Sequence, residues 1–209
     1  MRKYLLGLAV FVLAFGVFSV SVLHCSSVSK VFATTLPIPK PTTGSNIVNI
    51  NYDFPFSGTI MPDNPLWSLK AIRDWVWYYF TLDPLKKAEL ALLFSDKRLM
   101  ASKYLFENDK PDIAISTLSK GEKYLEIAVS EEKLARDKGA ETSVFLKKLA
   151  LASLKHRQVI DEEMLHHAPE DGKPDVIKSE DYARNAYKTS RDALNSRGLE
   201  TPKSPFEGQ

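Results

Sequence analysis

Apolar positions along the chain fall into three regimes. From Leu5 to Leu23 they run without an intervening charge. From Thr34 to Gly58 they are scattered among prolines and turn formers, as in "LPIPKPTTGS", where extended chain is expected. "NIVNIN" within it alternates apolar and polar, so a short strand is possible there. Beyond that the spacing turns helical. Asn64 before Pro65 predicts a capped helix to about Phe80, and Asp83 before Pro84 repeats the device for a helix to about Asn108. Along this second helix Leu85, Leu92, Leu99 and Phe106 recur every seven residues. The small residues Ala88, Ser95 and Ser102 lie between them, a seam that permits close helix approach. Pro111 opens a third helix to about Lys138, with Ala114, Leu118, Gly121, Leu125, Ala128 and Ala135 on one stripe. A fourth spans about Glu141 to His167, with Leu146, Leu149, Ser153, Ile160 and Met164 along one side. "APEDGKPD" breaks the chain. The last helix, about Ser179 to Arg197, carries Tyr182, Ala186 and Ala193.

These elements predict an all-α fold: an antiparallel bundle or set of long helical hairpins, about five helices, behind an N-terminal apolar signal or anchor helix. Four regions follow: 1–33 as signal peptide or signal anchor, 34–60 as proline-rich linker, 61–168 as helical domain, and 169–209 as a last helix with a disordered tail, "LETPKSPFEGQ".

Charge sharpens the reading of the first region. Arg2 and Lys3 precede the apolar run, and Val31-Phe32-Ala33 suits a signal peptidase, so cleavage after Ala33 is one outcome. The run of 19 residues is close to what spans a bilayer, so an uncleaved anchor is the other. In both, the basic flank places the body outside the cytoplasm, in the secreted or membrane-tethered state. Cys25 is the only cysteine, and it follows the bulky His24, where a lipid-modified cysteine follows a small residue. Of 28 basic side chains, Arg2, Lys3 and Lys30 lie in the first 33 residues; the remaining 25 face 26 acids. A near-neutral body gives no footprint for nucleic acid. The helix-surface charges, such as Glu122, Lys123, Glu126, Glu131, Glu132, Lys133 and Arg136, read as a solvated face.

The stretch "YDFPFSGTIMPDNPLWSLKAIRDW" and the following "FTLDPLKKAELALLFSDKRL" resemble a bacterial family of domains of unknown function. Its members pair "LPYPGxLPDxPLYxLK" with a "DPxKKAELxLxxAxxRL" helix. The matching positions include Tyr52, Pro55, Gly58, Pro62, Asp63, Pro65, Leu66 and Lys70, then Asp83, Pro84, Lys86, Lys87, Ala88, Glu89, Leu90, Arg98 and Leu99. Phe56 and Ser57 stand where the family has Tyr-Pro, and Trp67 where it has Tyr. The resemblance covers roughly Tyr52 to Val129. It implies an extracytoplasmic, largely helical domain with no catalytic residues and no cofactor.

Candidate sites are few. The helix before Phe80 is apolar all round. One stripe is Leu66, Leu69, Ile72, Arg73, Val76 and Phe80; Trp67, Ala71, Trp75 and Tyr78 lie on the other side. Such a helix is expected to be wedged between the bundle and the "YDFPF" segment. Alternatively Trp67, Trp75, Trp77 and Tyr78 meet a partner or the membrane interface. In "DEEMLHH", Glu163 and His166 have the i, i+3 spacing of carboxylate-bridged metal bundles, with His156 and His167 near the same face. The second Glu-x-x-His such sites need is missing, so a polar helix end is the plainer reading. No phosphate loop, Gly-x-Ser-x-Gly elbow or His-Glu-x-x-His occurs. The expectation is therefore a non-enzymatic structural or partner-binding module at the cell envelope, without cofactor. It would contact the membrane through its N-terminal segment if uncleaved, or an unidentified envelope protein. A membrane-interface module and a metal-binding bundle are the alternatives.

Overall fold

The computed structural model describes residues 50–206. The signal or anchor segment, most of the linker and "NIVNIN" up to Asn49 lie outside the described residues. Five α-helices are present among them: α1 (Trp67–Phe80), α2 (Pro84–Glu107), α3 (Pro111–Asp137), α4 (Ser143–Val159) and α5 (Lys173–Asn195). A π-helical turn (Ile160–Met164) and a short 3₁₀ turn (Leu165–His167) follow α4. The protein is an all-α bundle, as its periodicity predicts.

Local chemistry sets the boundaries. Asp83 accepts hydrogen bonds from the backbone N–H groups of Leu85 (2.8 Å) and Lys86 (3.4 Å), and Pro84 fills the first helical position. Asn64 accepts from Leu66 N–H at 2.9 Å, but a turn intervenes before α1 begins at Trp67. Gly139, at φ +84°, ends α3 in the left-handed region that glycine adopts without penalty. α5 begins six residues before the predicted Ser179. Pro174 in its first turn needs no N–H partner, and Val176 is already fully buried.

Packing centres on the α2–α3 hairpin, with α5 laid against α3 and α4. The predicted seams are the core. Leu92, Leu99, Phe106, Leu118, Leu125, Leu146, Leu149, Ile160 and Met164 are buried. The small residues set the helix separation. Ser102 donates to the Ala114 carbonyl at 2.8 Å across the seam. A methyl group on Gly121 would stand 3.0 Å from Arg98 Cβ and 3.5 Å from the Leu99 nitrogen. The two backbones pass closely because Gly121 has no side chain.

Two expectations need correction. The linker does not extend to residue 60: from Ile50 the chain is a strap laid into the core. Ile50, Tyr52 and Phe54, spaced two apart, each pack against a core cluster. The tail is not disordered as far as Phe206. Tyr187 Oη donates to the Pro202 carbonyl at 2.8 Å, and the Arg157 guanidinium lies 4.2 Å from the Phe206 ring centre. Leu199 and Phe206 pack on the α4–α5 core, which supplies the apolar surface the tail lacks by itself.

Gly121→Val should destabilise the protein by about 1–3 kcal/mol through overpacking of the hairpin. Leu99→Ala should cost about 2–5 kcal/mol through the cavity it leaves. Chemical denaturation of both variants against wild type measures these losses.

Candidate functional site: an outward apolar helix beside a buried charged network

The polarity of α1 is inverted. Its bundle-facing side carries Trp67, Lys70, Ala71, Asp74 and Tyr78, all buried or half-buried. Its outward side carries Leu69, Ile72, Trp75, Tyr79 and Phe80, with Leu69 65% and Phe80 73% exposed, and Leu66 just before it is exposed as well. An amphipathic surface helix normally does the reverse. Leu82 and Phe56 extend the exposed apolar surface. The expected wedge is therefore not what forms. Of the two sides expected to be covered, the one carrying Leu66, Leu69, Ile72 and Phe80 faces outward.

Specific polar contacts impose this orientation. Lys70 Nζ donates to the Ser57 carbonyl at 2.9 Å and reaches the Ile60 carbonyl at 3.4 Å. It also sits 4.4 Å above the Trp67 ring. Burial, with Lys97, Arg73 and Arg98 nearby, pulls the Lys70 ammonium down to about 8, although Asp74 acts in the other direction. Asp74, 5% exposed, accepts from Arg73 Nε and Nη2 at 3.1 and 2.7 Å. Tyr78 Oη donates to Glu131 at 2.8 Å; burial and that carboxylate push its pKa above the usual range.

The four aromatic candidates accordingly separate. Trp75 stands free and stacks on Tyr79 with centroids 5.6 Å apart. Trp77 is partly exposed and places an edge on Phe94. Trp67 and Tyr78 face the bundle. Tyr79, not singled out from the sequence, joins the exposed face.

Inside the bundle lies a site the sequence reading dispersed. His156 on α4 is fully buried, with Nδ1 2.7 Å from Glu122 on α3 and Nε2 2.9 Å from Asp96 on α2. Tyr52 Oη from the strap donates to the second Asp96 oxygen at 2.6 Å, and Phe54 packs on the imidazole with centroids 5.4 Å apart. Both ring nitrogens can donate only in the imidazolium form. Burial lowers the His156 pKa, but the Glu122 charge and the hydrogen bonds the ring donates to both carboxylates outweigh it and lift it to about 10. Burial, then the Asp96 charge, pushes the Tyr52 hydroxyl far above its usual range.

Glu122 is thus no solvated charge, and neither is Glu132, which accepts from Thr142 at 2.7 Å and Arg136 at 3.1 Å. Both lie on the buried side of α3: Glu122 meets His156 of α4, while Glu132 is held by Arg136 of its own helix and by Thr142 just before α4.

The four histidine-helix candidates do not converge. His156 has both nitrogens engaged, Glu163 pairs with Lys103, and His166 and His167 are exposed beyond the π-turn. Among the described residues no group of three or more His, Cys, Asp or Glu side chains is placed to hold a metal ion.

The network makes a pH prediction. The His156 pKa is higher folded than unfolded, so its stabilisation is complete below about pH 6.5 and is lost as pH rises toward 10. Ring ¹⁵N NMR should show His156 doubly protonated at pH 8. His156→Ala should cost about 3–5 kcal/mol, because it strands two buried carboxylates. By contrast, Leu69→Ser and Phe80→Ser should each change stability by less than about 0.5 kcal/mol in thermal melts.

No protein family, no curated protein and no solved structure matches this chain.

Proposed function

We propose that the chain is a non-catalytic, extracytoplasmic helical module, secreted or tethered by its N-terminal segment, whose α1 rests in the membrane interface. The observation that carries this reading is the inverted polarity of α1. Its Lys70 and Asp74 turn inward, while Leu69, Ile72, Trp75, Tyr79 and Phe80 turn to solvent. Several large apolar side chains on one convex helix are a liability in water, and a bilayer removes it. Trp and Tyr, at positions 75 and 79, are the rings favoured at the headgroup level.

Chain length supports a membrane over a soluble partner. Residues 24–49 separate the apolar run from the strap, and 26 residues reach at most about 90 Å. A tethered molecule therefore keeps α1 near the bilayer at high effective concentration.

The test uses the full chain reconstituted in vesicles, with Trp67→Phe and Trp77→Phe leaving Trp75 as reporter. Phospholipid brominated along its tails should quench Trp75 strongly, and aqueous acrylamide weakly. Quenching by acrylamide alone would end the membrane reading. If Ile72→Cys, in a Cys25→Ser background, instead crosslinks efficiently to itself or to an envelope protein, the face belongs to a protein partner.

A further inference from the structure

Arg98 on α2 is 8% exposed, yet its guanidinium has no carboxylate within ion-pair distance among the described residues. Its only hydrogen bond among the described residues is from Nη1 to the Phe94 carbonyl, at 3.2 Å. A guanidinium carries five N–H donors, and a buried charge is ordinarily paired. What holds it is aromatic: the Tyr124 ring lies 4.3 Å away and Phe94 5.6 Å. Those faces orient the group, and its other donors, which reach solvent at a groove, have no protein acceptor among the described residues.

Arg98 lines a shallow groove of about 280 Å³ where the start of α1 meets α2 and α3. Lys120 lines it too and makes no ion pair among the described residues. Ser116 and Thr117 add hydroxyls, and the Trp67 ring forms an apolar wall. Asp112 is the groove's carboxylate. It lies eight residues before Lys120 on α3, about 12 Å along the axis, so the basic and acidic ends are distinct. Burial depresses the Arg98 pKa, with Tyr124 and Asp74 acting the other way; Lys70 feels Asp74 against Lys97, Arg73 and Arg98, so one carboxylate stands among several cations at this junction.

We propose that this groove is an oxyanion site, in which Arg98 and Lys120 hold a phosphate-type group with hydroxyl donors from Ser116 and Thr117. The planar guanidinium suits two phosphate oxygens at once, and Lys120 supplies a second cation. The phosphate belongs either to an anionic lipid headgroup or to a small soluble phosphate ester. The site does not depend on the outward face of α1 meeting a bilayer.

The experiment follows Trp67 fluorescence in the full chain, with Trp75→Phe and Trp77→Phe, in nanodiscs of neutral phosphatidylcholine. Inorganic phosphate should give a saturable change with a Kd of about 10 mM or tighter. Lys120→Ser, at an exposed position, should weaken it roughly tenfold, the worth of one charge-assisted hydrogen bond. Arg98→Gln should weaken it at least as much, read only with a native melting profile. In nanodiscs containing phosphatidylglycerol, weaker apparent phosphate binding identifies the headgroup as occupant. Unchanged binding identifies a soluble phosphate. No saturable response, or one that survives Lys120→Ser unchanged, overturns the site. Trp75 quenching by brominated lipid is read separately, so the two proposals fail independently.

Discussion

A charged imidazole clamped between two carboxylates, with no water-exposed surface, is where the bundle is tied together. His156 joins α4 to Asp96 on α2 and Glu122 on α3, and Tyr52 brings the strap to the same carboxylate. Apolar stripes hold helices together but tolerate rotation and sliding. Hydrogen bonds from one ring to two fixed oxygens do not, because a buried charge that loses a partner is strongly penalised. The close α2–α3 approach over Gly121 brings Asp96 and Glu122 near enough for one ring to bridge both. Register in the hairpin and protonation in the network are therefore the same constraint seen twice.

From that constraint follows the placement of α1. The strap is drawn into the core by Ile50, Tyr52 and Phe54, and its later carbonyls, Ser57 and Ile60, are then in position for Lys70. Once Lys70 and Asp74 are committed inward, α1 has no freedom to bury Leu69 or Ile72. The outward apolar face is thus a consequence of polar satisfaction elsewhere. It forms because Lys70 reaches two strap carbonyls and Tyr78 reaches Glu131, contacts that this rotation of α1 makes.

The bundle helices were legible because α2, α3 and α4 each carry one continuous stripe, and Asp83–Pro84 and Pro111 punctuate them. The orientation of α1 was not, since both of its sides are apolar and periodicity cannot choose between them. Only the positions of Lys70 and Asp74, opposite Leu69 and Ile72, hinted at the answer. The network was hidden for a different reason. Asp96, Glu122 and His156 are single residues at separations of 26 and 34, and each looks like an ordinary helix-surface charge. Glu122 does sit one position after Gly121 in the small-residue seam, which is the signal that its side chain is near the contact. The unpaired Arg98 is invisible in sequence, because pairing is a property of neighbours.

The strap also decides how the body responds to load. Any tension arriving along the chain upstream meets Ile50 first, then Tyr52 and its short bond to Asp96, before it reaches a helix. Force applied there pulls on side chains seated in three separate core clusters at once, so it does not simply peel off an end. A chain pulled from its amino-terminal side is consequently gripped at the middle of its bundle, and what such a pull works against is the same buried imidazole that fixes the register of the helices.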